Sequence, residues 1–378
     1  MTSSTSSSLW SKTSWPRDRS LSGRAQKLHA TPWQGVFYLT GGGSEFLSEL
    51  LTTAGASKTV LEARVPYAPD ALEELLGQIP EQACSDGTAR SLAMAAFQRA
   101  RKLGDSPVFG FACTASLATD REKRGKHRAH IALQTKDATS AFAVNLEGSR
   151  TDEERALLEK LWQALNIALD LDLAPIDQIP ITSERTEAQN HWEELVLGEA
   201  IAHTTSDHDG KLLLPGAFNP LHRGHEKMLA IAEVKTGLIC AYELSILNVD
   251  KPLLDYTEIN TRLKQFANPV WLTRLPTFLD KARQFPQAHF VLGTDTLIRI
   301  NESKYYNSTN ARDDALAELV DLDCHFVVFG RATTDGFLKL GDIPALPQNI
   351  KSRCIEIERS EFEETVSSTA LRTGRIDR

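Results

Sequence analysis

The stretch Gly216-Ala217-Phe218-Asn219-Pro220-Leu221-His222-Arg223-Gly224-His225 constrains this chain more tightly than any other segment. The apolar run Leu212-Leu213-Leu214 before it reads as a strand, and a helical pattern follows from His225 to Val234. A strand must therefore end in a tight turn rich in glycine and proline and give way at once to a helix. Gly216 lets the backbone approach a bound anion, and Gly224 lets the helix start against it. A helix amino terminus presents unpaired N–H groups and the positive end of the dipole, which together suit a phosphate. His222 and His225, three positions apart, share one face of that first turn. Imidazoles placed there can stabilise charge developing on a phosphorus centre.

The rest of the second half alternates strand and helix. Apolar or β-branched runs at 238–244, 288–293, 324–330 and 353–358 read as strands, and 276–284 and 311–320 as helices. That order predicts a mostly parallel sheet, a Rossmann-like α/β domain over 209–378, with ligands bound beyond the carboxyl ends of its strands.

The first half is a separate α/β unit, expected over 29–170. Strands are read at 35–39, 107–116, 130–135 and 140–147, and helices at 45–51, 88–102 and 152–169, the second capped by Ser85 or Asp86. Residues 170–187 hold two prolines and five acids with little periodicity, so 171–208 is expected to be a linker with a connecting helix near 188–203. Residues 1–28 are rich in Ser and Thr, with five basic residues and one acid. Two readings of this segment stay open, a disordered polar tail and an organelle transit peptide.

Composition narrows the function classes. A length of 378 residues suits two domains, and 41% hydrophobic with 24% charged residues suits buried cores. The net charge of −8 argues against a nucleic-acid binder. Five scattered cysteines without a CxxC pair support neither a disulfide framework nor a structural zinc site, and Cys84 and Cys113 read as small core residues. No apolar run reaches the ~18 residues that suggest a membrane span. The expectation is a soluble cytoplasmic protein, or an organellar one if the amino-terminal segment is a transit peptide.

The 216–225 stretch resembles the HxGH signature of the nucleotidylyltransferase superfamily, in its GxFNPxHxGH form, which implies that Phe218 and Asn219 help to hold the nucleotide. Val366-Ser367-Ser368-Thr369-Ala370-Leu371-Arg372 is similar to the same superfamily's ISSTxIR motif, whose hydroxyls and arginine suit β- and γ-phosphates. Phe290-Val291-Leu292-Gly293-Thr294-Asp295 resembles the GxD segment of nicotinamide and nicotinate mononucleotide adenylyltransferases. That resemblance implies that Gly293 and Asp295 lie by the nucleotide ribose, and that the region of Trp271, Leu272 and Pro276–Phe278 lines a pyridine pocket. Trp271 then either stacks on the acceptor or fills the core. The resemblance spans about 210–376. It implies ATP with Mg2+ and a phosphorylated small-molecule acceptor as substrates. Nicotinamide or nicotinate mononucleotide is the leading acceptor; cytidylyltransferase and phosphopantetheine-type acceptors stay open.

In the first half, Thr40-Gly41-Gly42, Leu50–Ser57, Val65-Pro66-Tyr67 and Thr114–Ala118 resemble the CinA carboxy-terminal domain, the nicotinamide-nucleotide amidase fold. One departure stands out: the family reads Glu-Ser-Cys-Thr-Gly-Gly, whereas this chain has Phe37-Tyr38-Leu39-Thr40-Gly41-Gly42. Tyrosine replaces the expected serine nucleophile, and Ser44 has no identified base. The basic run 121–130 suits either a nucleotide phosphate or solvent. Two roles stay open for this unit: amide hydrolysis, making the protein bifunctional, or a non-catalytic module that senses a nucleotide or forms a homo-oligomer.

Overall fold

Successive side chains of a strand point to opposite faces, and Val36, Phe37, Tyr38 and Leu39 are all buried, so the strand that holds them needs cover on both sides. A computed structural model, describing residues 23–105, 107–120, 125–173, 181–249, 251–306, 308–333, 336–364, 366 and 368–372, supplies that cover with helices. The first sheet contains β1 (Gln34–Thr40), β2 (Val60–Arg64), β3 (Val108–Ser116), β4 (Arg128–Gln134), β5 (Ala138–Asn145) and β6 (Thr182–Glu187), in the spatial order β2-β1-β3-β4-β5-β6. Its first three strands are parallel and the rest antiparallel.

The second sheet contains β7 (Ala202–Thr204), β8 (Leu212–Pro215), β9 (Ala241–Ser245), β10 (Val270–Thr273), β11 (His289–Gly293) and β12 (His325–Phe329). After the hairpin of β13 (Arg331–Thr333) and β14 (Gly336–Leu338), β15 (Cys354–Ile357) completes it. The spatial order is β15-β12-β11-β8-β9-β10-β7, parallel throughout except for β7. The fold is thus α/β in two sheets, as the sequence predicts.

Helices α1 (Arg24–His29), α2 (Ser44–Thr52), α3 (Ala56–Thr59), α4 (Pro69–Leu76), α5 (Asp86–Leu103) and α6 (Arg150–Leu169) belong to the first unit. Phe37, Leu39 and Phe111 pack with residues of α2 and α6, whereas Val36, Tyr38 and Ala112 pack with α4 and α5. Helix α5 lies close on β3 because Ala93 and Ala96 meet Gly110, where a Cβ would stand 2.1 Å from the Ala93 carbonyl oxygen. Ser85 caps α5, accepting from the Thr88 N–H at 3.2 Å.

Helix α7 (Asn190–Leu197) precedes β7. The second sheet is then covered by α8 (Arg223–Thr236), α9 (Tyr256–Leu263), α10 (Phe278–Gln284), α11 (Thr294–Asn301), α12 (Thr309–Asp321), α13 (Gln348–Lys351) and α14 (Ser368–Arg372). One apolar cluster joins Met94 and Phe97 of α5 to Trp192 of α7 and to Leu214, Tyr242 and Tyr256, so the two units share a buried seam.

Two sequence expectations need correction. Residues 1–22 lie outside the described residues, but Arg24–His29 is helical, not tail. Ala25 and Leu28 are fully buried, and the Arg24 guanidinium bridges Glu49 and Glu159. The expected linker holds β6, which extends the first sheet beside β5, and β7, which edges the second. Strand β6 carries six polar residues and lies largely exposed, so no apolar alternation betrayed it. Among the described residues no helix is long and apolar enough to cross a membrane.

Candidate active site

From β8 the chain winds outward through β9 and β10 on one side and through β11, β12 and β15 on the other. The carboxyl ends of β8 and β11 therefore flank a topological switch point, where open α/β sheets bind ligands. The 216–225 turn leaves β8 at this point. Its start is pinned by the Gly216 N–H, which donates to the Glu243 carbonyl at 3.0 Å. Phe218 takes a left-handed φ of 46° and turns its ring inward. That ring is 1% exposed and packs edge-on against His225, Tyr242 and Phe266 at centroid distances of 5.0, 5.1 and 5.1 Å. A Cβ on Gly216 would stand 2.7 Å from the ring, so this glycine makes room for Phe218. The Phe218 side chain is thus a core wedge under the turn.

His222 occupies the N-cap of α8, and His225 lies in its first turn. Their rings stack at 3.7 Å with planes 22° apart. His225 Nδ1 accepts from the His222 backbone N–H at 3.3 Å, which places the proton of the neutral His225 ring on Nε2, free to donate. Burial, and then the neighbouring His222, push His225 down to about 3; burial also lowers His222. In the absence of ligand both rings are therefore neutral near pH 7, and a bound polyanion would favour their protonation.

The same shift sets a stability profile. Between pH 6.5 and 3 the unfolded chain protonates His225 and the folded one does not, so stability rises with pH through that window and is lost as pH falls. The expected slope from this residue approaches ~1.4 kcal/mol per pH unit. Urea unfolding of wild type and His225→Asn at pH 7, 6 and 5 measures it; the variant should lose that part of the slope.

Beside the turn lies a cavity of about 590 Å³. Asn219 to Arg223 and Glu226 form one wall, Glu258, Thr261, Arg262 and Gln265 a second, and Val366 and Leu371 a third. The second wall grips the turn: Arg262 donates to the Ala217 carbonyl at 2.9 Å and Gln265 to that of Phe218 at 3.1 Å, while the Leu221 N–H donates to Gln265 Oε1 at 2.8 Å. The carboxy-terminal motif arrives at the same place. Ser368 Oγ donates to the Pro220 carbonyl at 2.9 Å and Arg372 Nη1 to that of Asn219 at 2.5 Å. Glu364 holds Arg223 and Lys227, which draws its carboxyl below the usual range. Sequence reasoning missed Glu258, Arg262, Gln265 and Glu364; the i,i+4 pair Glu258–Arg262 and the cap residue Asp255 three positions before Glu258 were local signals for α9.

The structure thus brings Asn219, His222, His225, Gly224, Ser368 and Arg372 together. The side chain of Thr369 lies outside the described residues. Gly293 and Asp295 stand across the switch point, at the end of β11 and the start of α11, outside the cavity lining; Asp295 pairs with Arg331. Trp271 is removed from it. Its partly buried indole packs on Phe285 at 4.9 Å and donates to His208 Nδ1 at 3.1 Å, against the edge of the apolar core. No group of three or more His, Cys, Asp or Glu that can hold a metal ion occurs among the described residues.

In the first unit, Phe37 and Tyr38 are buried within β1. Burial pushes the Tyr38 phenol up to about 12, and it donates to Glu62 at 3.4 Å, so it has no nucleophilic character at neutral pH. Ser44 opens α2 in an exposed position. Of the basic run, residues 121–124 lie outside the described residues; His127 Nδ1 meets buried Glu153 at 2.5 Å, and Arg128 and His130 lie within β4.

No protein-family model matches the chain, and no curated protein matches it. Among solved structures, it is similar to the competence or damage-inducible protein of Enterobacter asburiae, at 16% identity and a TM-score of 0.34, over 39% of this chain and 96% of that one. It is also similar to the competence/damage inducible protein CihA of Agrobacterium tumefaciens, at 20% identity and a TM-score of 0.32, over 40% of this chain and 95% of that one. A third is the competence-damaged protein (CinA) superfamily protein of Enterobacter cloacae, at 17% identity and a TM-score of 0.34, over 39% and 90%.

Proposed function

We propose that the second unit transfers a nucleotidyl group from a nucleoside triphosphate to a phosphorylated small molecule, releasing pyrophosphate. One observation carries this reading: a stacked imidazole pair opens α8 at the switch point, and Ser368 and Arg372 are bonded to the same turn. An oxygen of the acceptor's phosphate attacks the α-phosphorus in line; that P–O bond forms as the bond to the β-phosphate breaks, and the electron pair leaves with pyrophosphate. His222 and His225 donate N–H groups to oxygens that gain charge in the transition state. Arg372, and the first-turn N–H groups of α8, suit the outgoing phosphates. Mg2+ enters with the triphosphate as part of the substrate. ATP is the proposed donor, with nicotinamide or nicotinate mononucleotide as acceptor.

The full chain, offered ATP or CTP with a panel of phosphorylated acceptors (both pyridine mononucleotides, flavin mononucleotide, pantetheine phosphate, choline phosphate), tests the reading by pyrophosphate release. Fastest release is expected with ATP and a pyridine mononucleotide. Preference for another acceptor overturns the substrate assignment, and release from none of the pairs overturns the activity.

A further inference from the structure

The cavity wall formed by α9 belongs to the second sheet's unit, yet its amino-terminal half is held by the first. Arg90 of α5 reaches across the seam and places Nη1 2.7 and 2.6 Å from the two carboxylate oxygens of Asp255, the residue that caps α9 by accepting from the Glu258 N–H at 3.0 Å. Arg90 is 7% exposed and Asp255 2%, so solvent does little to screen the pair. Arg90 Nε is fixed in turn by Asp86 at 2.8 Å. The next residue along α9, Tyr256, donates its backbone N–H to Thr139 Oγ1 at 3.0 Å and its phenol to the Lys136 carbonyl at 2.6 Å, both in the first unit. Thr257 shares a hydroxyl hydrogen bond of 3.0 Å with Thr186 of β6. Three consecutive residues, 255 to 257, thus anchor one end of α9 in the first unit, and further along Arg262 and Gln265 clasp the backbone of the 216–221 turn.

We infer that α9 is a strut through which the first unit sets the shape of the nucleotide cavity, with Arg90 as the positioning residue. The first unit then serves the second mechanically, whatever else it does. A helix anchored at Asp255 by a two-oxygen ion pair keeps its far end where Arg262 and Gln265 reach the carbonyls of Ala217 and Phe218; without the anchor that end is free to swing. His222 and His225 are placed by α8 and the Phe218 wedge instead, so loosening α9 should weaken binding more than it slows the chemical step. The kinetic part of this inference rests on the nucleotidyl-transfer reading; the mechanical part does not.

The test compares the full-length double variant Arg90→Met/Asp255→Asn with Arg101→Ala. The double variant removes both charges, leaves no lone buried ion, and keeps an amide oxygen to cap α9. Arg101 also crosses the seam, but donates to the carbonyls of Val196 and Leu197 on α7. In the double variant, amide hydrogen exchange over 256–263 and 216–222 is expected to quicken at least tenfold. The KM for ATP should rise at least fivefold, with kcat changed less than twofold. Arg101→Ala should alter none of these. Arg90→Lys, which keeps the charge and loses the fork, should fall between and supplies the answer if the double variant does not fold. Unchanged exchange in α9 overturns the strut, as does the same loss from Arg101→Ala; quicker exchange with an unmoved KM overturns its link to the cavity. Wild type without turnover on any acceptor counts against nucleotidyl transfer, and exchange over 216–222 still decides whether the strut reaches the turn.

Discussion

Alanine in place of His222 or His225 is expected to lower kcat by about 10²–10³, the usual cost of losing one preorganised donor to developing charge. Both rings are neutral in the free protein, so their contribution is a directed N–H that meets charge only as the transition state forms, and the loss should fall on kcat more than on KM. Because the rings stack on each other at 3.7 Å, removing one also frees the other to rotate, and the double variant should be little worse than either single one. Single-turnover measurement of pyrophosphate release, with unfolding curves to show that the fold persists, checks this. Turnover within threefold of wild type in either single variant would exclude that residue from the chemistry.

The second large effect concerns stability. Phe218→Ala should cost about 3–5 kcal/mol, the range for truncating a buried phenylalanine. The ring fills the space beneath the turn among His225, Tyr242 and Phe266, and Gly216 has no side chain with which to collapse into the gap. The left-handed backbone at this position adds strain of order 1 kcal/mol, which ring burial offsets in wild type and alanine cannot offset. Activity should fall with stability, because His225 loses the surface its ring leans on. Denaturant unfolding reports the first effect and kcat the second. A loss below 1 kcal/mol would mean that the turn stands without its wedge.

Phe218 also marks where sequence reading stopped. Its place in the motif was legible and its direction was not: a phenylalanine next to Asn219 in a glycine-rich turn gives no sign that a positive φ turns it inward. Five of the seven strands of the second sheet were visible because burial leaves apolar runs such as Phe326-Val327-Val328-Phe329, whereas the short β7 and β10 were not read. Helix α9 was legible only in part. Tyr256, Ile259 and Leu263 fall at helical spacing and join the apolar cluster of the seam, but its polar anchors, Thr139, Lys136 and Arg90, leave no local sign in the sequence. Asp255 read as one more acid among many, and only the seam revealed the arginine 165 residues away in sequence. Likewise Ser368 and Arg372 were recognisable by type, while their bonds to the backbone of Asn219 and Pro220 required the fold.

The position of β6 bears on how this protein should be cut. A fragment ending at Leu169 loses the strand that pairs along β5 from Ala138 to Ala143, leaving a row of bare N–H and C=O groups. Such an edge recruits other copies, so self-association of that piece would report the scissors rather than a native quaternary state. A divided version of the chain needs its first half carried past Glu187, and even then it parts Arg90 from Asp255.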